Sequence, residues 1–259
     1  MESGPLTQTL QTDAELARAV ALEAGDLLRT LCATGDCSGA TLGKRGDERA
    51  NAAIIAHLRT ARPDDFILSE EAADDRARCS ARRVWVVDPL DGTREFSEER
   101  DDWAVHIGLA IDGVPVTGAV ALPAAHKVFV TDDTPPEYPP LGTRPRMVVS
   151  RSRPPEIALA VAAALDAEMI PMGSAGAKAM AVVEGRADIY LHAGGQYEWD
   201  NCAPVAVALA AGLHASRIDG SALVYNCVDP LLPDLLICRE ELADRVLAAI
   251  RDAGQSPGG

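Results

Sequence analysis

Aromatic residues are scarce: three Phe, three Trp and four Tyr make up 4% of 259 positions. The core must therefore be built mainly from Ala, Val, Leu and Ile. Basic residues are in deficit too, 24 Lys and Arg against 39 Asp and Glu, for a net charge of −15. A nucleic-acid binder needs a basic surface to displace counterions from phosphates, so polymeric nucleic acid is not an expected partner. No apolar run approaches the roughly 18 residues of a membrane span. The opening "MESGPLTQTLQTDAEL" has neither the basic start nor the apolar stretch of a signal peptide. No membrane association and a cytoplasmic location are the expectations. Cys32, Cys37, Cys79, Cys202, Cys227 and Cys238 form no C-x-x-C and no zinc-like spacing with the five histidines. Unpaired thiols in a reducing compartment are expected. An acidic protein still accepts a small phosphorylated substrate if cations sit in its site.

What is present organises into two halves. "TDAE" from Thr12 is a capping-box pattern, and Leu16, Val20, Leu27 and Leu31 follow on one helical face. A second helix is predicted over Asp47–Thr60, then strands at "FILS" and "VWVVD". Two apolar runs around Asp112–Gly113 read as a hairpin, with a third strand from Lys127. "DDTPPEYPPLGTRP" is too rich in proline for helix or inner strand and marks a boundary. Beyond it strands at "RMVVS", "MIPM", "DIYLH" and "DLLIC" alternate with helices over 156–167, 175–184, 200–211 and 240–253. The tail "GQSPGG" is expected to fray. The prediction is an α/β protein, with an α+β half over 1–135 and an α/β half over 146–259.

Acidic residues recur where strands end or helices begin: Asp47 in "GDERAN", Glu70–Glu71 in "LSEEAADD", Asp88 and Asp91 in "DPLDGT", and Asp200 in "EWDNCAP". Strands of one sheet end along one edge, so such residues converge readily. Clustered carboxylates cannot all ionise without cations, and hard oxygen ligands suit Mg²⁺ or Mn²⁺. Pro89 fixes its φ and lacks a donor, favouring a sharp turn that aims Asp88 and Asp91 at one point, with the Leu90 carbonyl as a further ligand. Gly92 and Thr93 would offer N–H groups to an anion at a helix start. Each acid also has a plainer explanation. Asp88 and Asp91 fit a surface turn, Glu70–Glu71 a solvated strand end, Asp200 a helix N-cap and Asp47 a helix-start acid. Only their joint presence points to metal-assisted phosphate ester hydrolysis. Glu198 and Trp199 either line that pocket or belong to the core. Lys178 is otherwise an exposed helix residue, and His106 and His192 read as structural.

"LSEE", "WVVDPLDGTREF" and "EWDNCAP" resemble, in order and spacing, the signatures of the inositol monophosphatase superfamily of Mg²⁺-dependent, lithium-sensitive phosphatases. The likeness covers nearly the whole chain. "DGTREF", "GSAGAKAM" and "WDNCAP" are similar to the 3′(2′),5′-bisphosphate nucleotidase branch, CysQ-type enzymes acting on 3′-phosphoadenosine 5′-phosphate (PAP). The resemblance implies the sugar-phosphatase fold of alternating helix and sheet layers, with the site between the halves, and a homodimer as in many relatives. It implies one Mg²⁺ on Glu70, Asp88 and the Leu90 carbonyl, a second on Asp88, Asp91 and Asp200, and a weaker third on Glu70. Mn²⁺ is a substitute and Li⁺ an inhibitor. Asp47 and Thr93 would activate water, Asp91, Gly92 and Thr93 would cradle the phosphate, and Gly173, Ser174, Ala175 and Lys178 would line the nucleotide side. The implied reaction releases the 3′-phosphate of PAP, or of its sulfated form PAPS, in sulfur assimilation. Inositol 1-phosphate or fructose 1,6-bisphosphate hydrolysis is the alternative, and a non-catalytic metal or nucleotide sensor the remote one. One motif departs: before Asp47 the family's usual Thr is replaced by Lys44 in "TLGKRGD", so the preceding loop is expected to differ in shape.

Overall fold

A computed structural model describes residues 11–255. The first half begins with two long helices, α1 (Asp13–Thr34) and α2 (Gly39–Ala61). Thr12 caps α1 as predicted: its hydroxyl accepts from the Glu15 N–H while the Glu15 carboxylate accepts from the Thr12 N–H. Five strands follow: β1 (Phe66–Ser69), β2 (Arg83–Asp91), β3 (Ala104–Ile111), β4 (Val114–Leu122) and β5 (Lys127–Val130). They form one sheet in chain order, β1 parallel to β2 and the rest antiparallel. The β3–β4 turn uses Asp112 and Gly113, both at positive φ (51° and 80°), the twist a tight hairpin needs. A five-residue helix, α3 (Thr93–Ser97), follows β2 directly.

The chain then runs without helix or strand from 131 to 145. The second half carries β6 (Arg146–Ser150), α4 (Glu156–Ala164), β7 (Glu168–Met172), α5 (Ala175–Val183), β8 (Ile189–Ala193), α6 (Glu198–Ala210), β9 (His214–Ser216), β10 (Asp234–Cys238) and α7 (Ala243–Gln255). Its sheet order is β7-β6-β8-β10-β9. The β7-β6-β8 part is parallel, as alternation predicts, while β10 runs antiparallel to both neighbours. The three-residue β9 was not anticipated, because it is too short to carry a pattern. The final helix also starts later than predicted: Glu240–Leu242 form a 3₁₀ turn before α7. Gly254 and Gln255 close α7, and the last four residues of the predicted frayed tail lie outside the described ones.

The layer order follows from side-chain alternation, because successive strand residues face opposite ways. In β2 and β3, Trp85, Val87, Val105, Ile107 and Leu109 pack with α1 and α2. Val84, Val86, Ala104 and Ala110 face the other way and share a core with α5, α6 and one face of the second sheet. That sheet's far face packs on α4 and α7. The result is helices, sheet, helices, sheet, helices. Gly108 and Gly118, paired across β3 and β4, let α6 sit almost on the sheet. A Cβ on Gly118 would stand 2.5 Å from the Ala203 carbonyl oxygen. No helix among the described residues is long and apolar enough to cross a membrane.

Candidate active site

The site grows from the end of β2. Asp88 continues the face of Val84 and Val86, toward α6. Simple alternation would send Asp91 to the opposite face. Instead Asp88 pairs with His106 and Asp91 with Ala104, three residue steps against two, so the strand carries a bulge at Pro89–Leu90. The bulge returns Asp91 to the face of Asp88. Proline suits it, having no N–H to place in the ladder, and the Leu90 N–H donates to Asp88 Oδ1 at 3.0 Å. The predicted turn is thus a bulge inside a strand that runs through Asp91.

Asp200 arrives from α6. Its plainer reading as an N-cap does not hold, because Tyr197 occupies that place. Asp200 is the third helical residue, and its Oδ2 accepts from the Tyr197 N–H at 2.6 Å. Carboxylate oxygens of Asp88, Asp91 and Asp200 come within 4.8 Å of one another. Among the described residues no Lys or Arg pairs with these three, with Glu70 or with Asp47 within 4.0 Å. Burial, then Glu70, Asp91 and Asp200, push the Asp88 carboxyl well above the usual range. Burial and then Asp91 raise Asp200 to about 6. Glu70 keeps solvent contact, yet stands deep enough among protein atoms that desolvation, then Asp200, lifts it to about 7. These oxygens are hard donors carrying charge the protein leaves unbalanced, which fits Mg²⁺.

Asp91 is the exception. Burial works against its charge, but His106, the Gly176 N–H and Lys178 more than offset that and hold it below its ordinary value. Its two oxygens accept from Ala175 N–H (3.1 Å) and Gly176 N–H (2.6 Å), the first turn of α5.

Asp47 lies in the middle of α2, which starts eight residues before it, instead of at a helix start. The expected unusual loop is helix. Gly43 and Gly46 present no side chain to α3. A Cβ on Gly43 would stand 2.4 Å from Ser97 Oγ and 2.9 Å from Thr93 Cγ2, and one on Gly46 would stand 2.9 Å from Leu90 Cδ2. That close approach lets Thr93 Oγ1 reach Asp47 Oδ1 at 3.2 Å. The Leu90 carbonyl lies equally close to Thr93 Oγ1, at 3.2 Å, and one hydroxyl proton serves only one of them. Desolvation, then the charge of Glu71, lifts Asp47 to about 7. Lys44 points out to solvent, 3.8 Å from Glu48.

Gly92 caps α3 at φ 88°, and a Cβ there would come 2.9 Å from Ser174 Cβ, so the two halves touch at this point. Ser174 caps α5 by accepting from the Ala177 N–H at 3.0 Å. Gly173 N–H donates to Asp102 Oδ2 at 2.7 Å. Lys178 and Glu198, proposed for the substrate side, are buried, as are Asp91, Ser174 and Ala175. Lys178 is 4% exposed. Its ammonium donates to the Gly173 and Ser174 carbonyls and stands 5.4 Å from the centre of the Tyr190 ring. It braces the loop from beneath. Glu198 is 1% exposed and accepts from the Asn226 and Cys227 N–H groups, both at 2.7 Å. It anchors the segment at Asn226 and Cys227. Glu95 of "REF" likewise sits under Gly173, held by Arg151 at 2.8 Å.

The inositol monophosphatase family model matches residues 8–134 and 143–255, and the chain belongs to that family. It is 53% identical over 222 residues to the 3′-phosphoadenosine 5′-phosphate phosphatase of Mycobacterium bovis, covering 82% of this chain and 83% of that one. It is 48% identical over 258 residues to the protein of the same name from Mycobacterium leprae, covering 94% and 95%. CysQ from Bacteroides thetaiotaomicron superposes with a TM-score of 0.76 at 27% identity, over 90% of this chain and 98% of that one.

Proposed function

We propose that the chain is a Mg²⁺-dependent phosphomonoesterase that converts PAP to AMP and phosphate, with PAPS as a related substrate giving adenosine 5′-phosphosulfate. The carrying observation is the carboxylate triad of Asp88, Asp91 and Asp200, with oxygens within 4.8 Å, beside the Asp47–Thr93 pair. The two mycobacterial relatives named for PAP support the choice of substrate. Glu70, Asp88, the Leu90 carbonyl, Asp91 and Asp200 would hold two or three Mg²⁺, whose charge would lower the pKa of water and offset charge on the leaving oxygen. Asp47, with a carboxyl at about 7, takes the proton of the attacking water. Thr93 orients that water through its hydroxyl. The N–H groups of Gly92 and Thr93 receive the phosphate. The chain's own halves, 1–135 and 146–259, close the site where Gly92 meets Ser174. Six free thiols suit a cytosolic enzyme.

The test is phosphate release with Mg²⁺ from PAP, PAPS, inositol 1-phosphate and fructose 1,6-bisphosphate, each with and without Li⁺. PAP should have the highest kcat/KM, and Li⁺ should inhibit. A tenfold preference for inositol 1-phosphate or fructose 1,6-bisphosphate would overturn the substrate assignment, and no turnover of any would leave the sensor reading.

A further inference from the structure

His106 is the largest side chain on a face otherwise made of small ones. On β3, Ala104, His106, Gly108 and Ala110 all point toward α5 and α6. The imidazole is 0% exposed. Room for it is made on the facing helix: a Cβ on Gly176 would stand 2.2 Å from His106 Nε2. A buried polar ring normally has its donors and acceptors satisfied. Here Nδ1 lies 3.1 Å from the Trp199 carbonyl. That carbonyl only accepts, so Nδ1 carries the hydrogen. Nε2 lies 3.2 Å from Asp91 Oδ2 but off the line of a hydrogen bond, and no other group serves it. The ring therefore lies between the Asp91 carboxylate at the end of β2 and the backbone of the first turn of α6, where Asp200 directly follows Trp199.

We infer that His106 is a positioning residue that sets the spacing between Asp91 and Asp200 at the cation site. The inference rests on the reading of Asp88, Asp91 and Asp200 as that site. A ring bonded to the α6 backbone and in contact with the Asp91 carboxylate fills the space between the two segments and holds their carboxylates at one separation. Among the described residues no hydrogen bond joins α6 directly to the end of β2.

The experiment is calorimetric titration of the substrate-free protein with MgCl₂, followed by kcat and KM as functions of Mg²⁺. His106→Ala should weaken Mg²⁺ binding by about 10- to 100-fold, the size typical of groups behind metal ligands. At saturating Mg²⁺, kcat and KM should stay within about threefold of the wild type, since the change acts through metal affinity. His106→Gln keeps an amide donor near the Asp91 side and should recover more affinity than His106→Asn, which reaches only the Trp199 carbonyl. Val120→Ala, a core truncation on the neighbouring strand, should leave Mg²⁺ binding unchanged. The inference is overturned if His106→Ala binds Mg²⁺ like the wild type, if His106→Gln is no better than Ala, or if Val120→Ala weakens binding equally. Asp200→Asn separates the two levels: if it too binds Mg²⁺ like the wild type, the cation-site reading itself fails.

Discussion

Asp88 and Asp188 are buried alike, 1% and 2% exposed, yet their surroundings are opposite. Asp188 sits immediately before β8 among cations. It accepts from the Arg146 backbone N–H (2.8 Å), Nε (3.0 Å) and Nη2 (2.9 Å), and Arg239 stands 3.9 Å away. Asp88 sits at the end of β2 among other acids, with the Leu90 N–H as a hydrogen-bond donor. A buried charge with its own counter-ions is part of the architecture. A buried charge facing like charges has no such partner in the chain, which is what the proposed cation site requires. Burial alone separates nothing here; the sign of the neighbours does.

The comparison breaks first at Asp88→Asn. This change should lower kcat by on the order of 10³, the upper range for losing one preorganised electrostatic group. It should also raise the melting temperature of the metal-free protein, because it removes repulsion. Unchanged turnover would mean the cluster is not catalytic. Asp188→Asn should do the reverse. Breaking a buried ion pair typically loses about 3 kcal/mol of stability, read by chemical denaturation, while kcat per folded molecule stays near the wild-type value. A large kcat loss there would erase the distinction between the two clusters.

Gly43→Ala tests the arm that carries Asp47. The added methyl should push α2 off α3, lengthen the Asp47–Thr93 contact and cut kcat by about 10- to 100-fold, as small misplacements do. Substrate KM should move little. The smallest effect expected is a pH slope. Glu70 and Asp47 sit at about 7 and Asp200 at about 6 in the folded chain. Their unfolded values are near about 4, so the folded state holds the extra protons between those limits. Stability of the EDTA-treated protein should therefore fall as pH rises from about 4 to 7. Saturating Mg²⁺ should flatten or invert the slope, and a slope indifferent to Mg²⁺ would count against the cluster binding a cation.

Much of this was legible from residues in order. The capping box at Thr12, the Asp112–Gly113 hairpin and the break near Pro135–Pro145 depend on neighbours in the chain, so local chemistry decides them. The acids of the cluster were legible as a set because "DPLDGT" and "EWD" carry type and spacing together. The start of α2 was not, since Gly39, Gly43 and Gly46 look like helix breakers until α3 is seen packed on the last two. Lys178 reads as a substrate-side residue through the resemblance of "GSAGAKAM", and Glu198 through its place two residues before Asp200, but neither signal tells what the side chain bonds. Both are buried under the loops that they hold.

The sequence by itself determined the family, the element order and the chemical character of the site, since these rest on residue type, period and spacing. Only the tertiary structure decided which acids go unpaired. The bulge at Pro89–Leu90 turns Asp91 toward Asp88, α6 brings Asp200 to both, and Gly176 makes room for His106 between them. Charges interact through space with strengths set by distance and burial, and neither quantity is written along the chain.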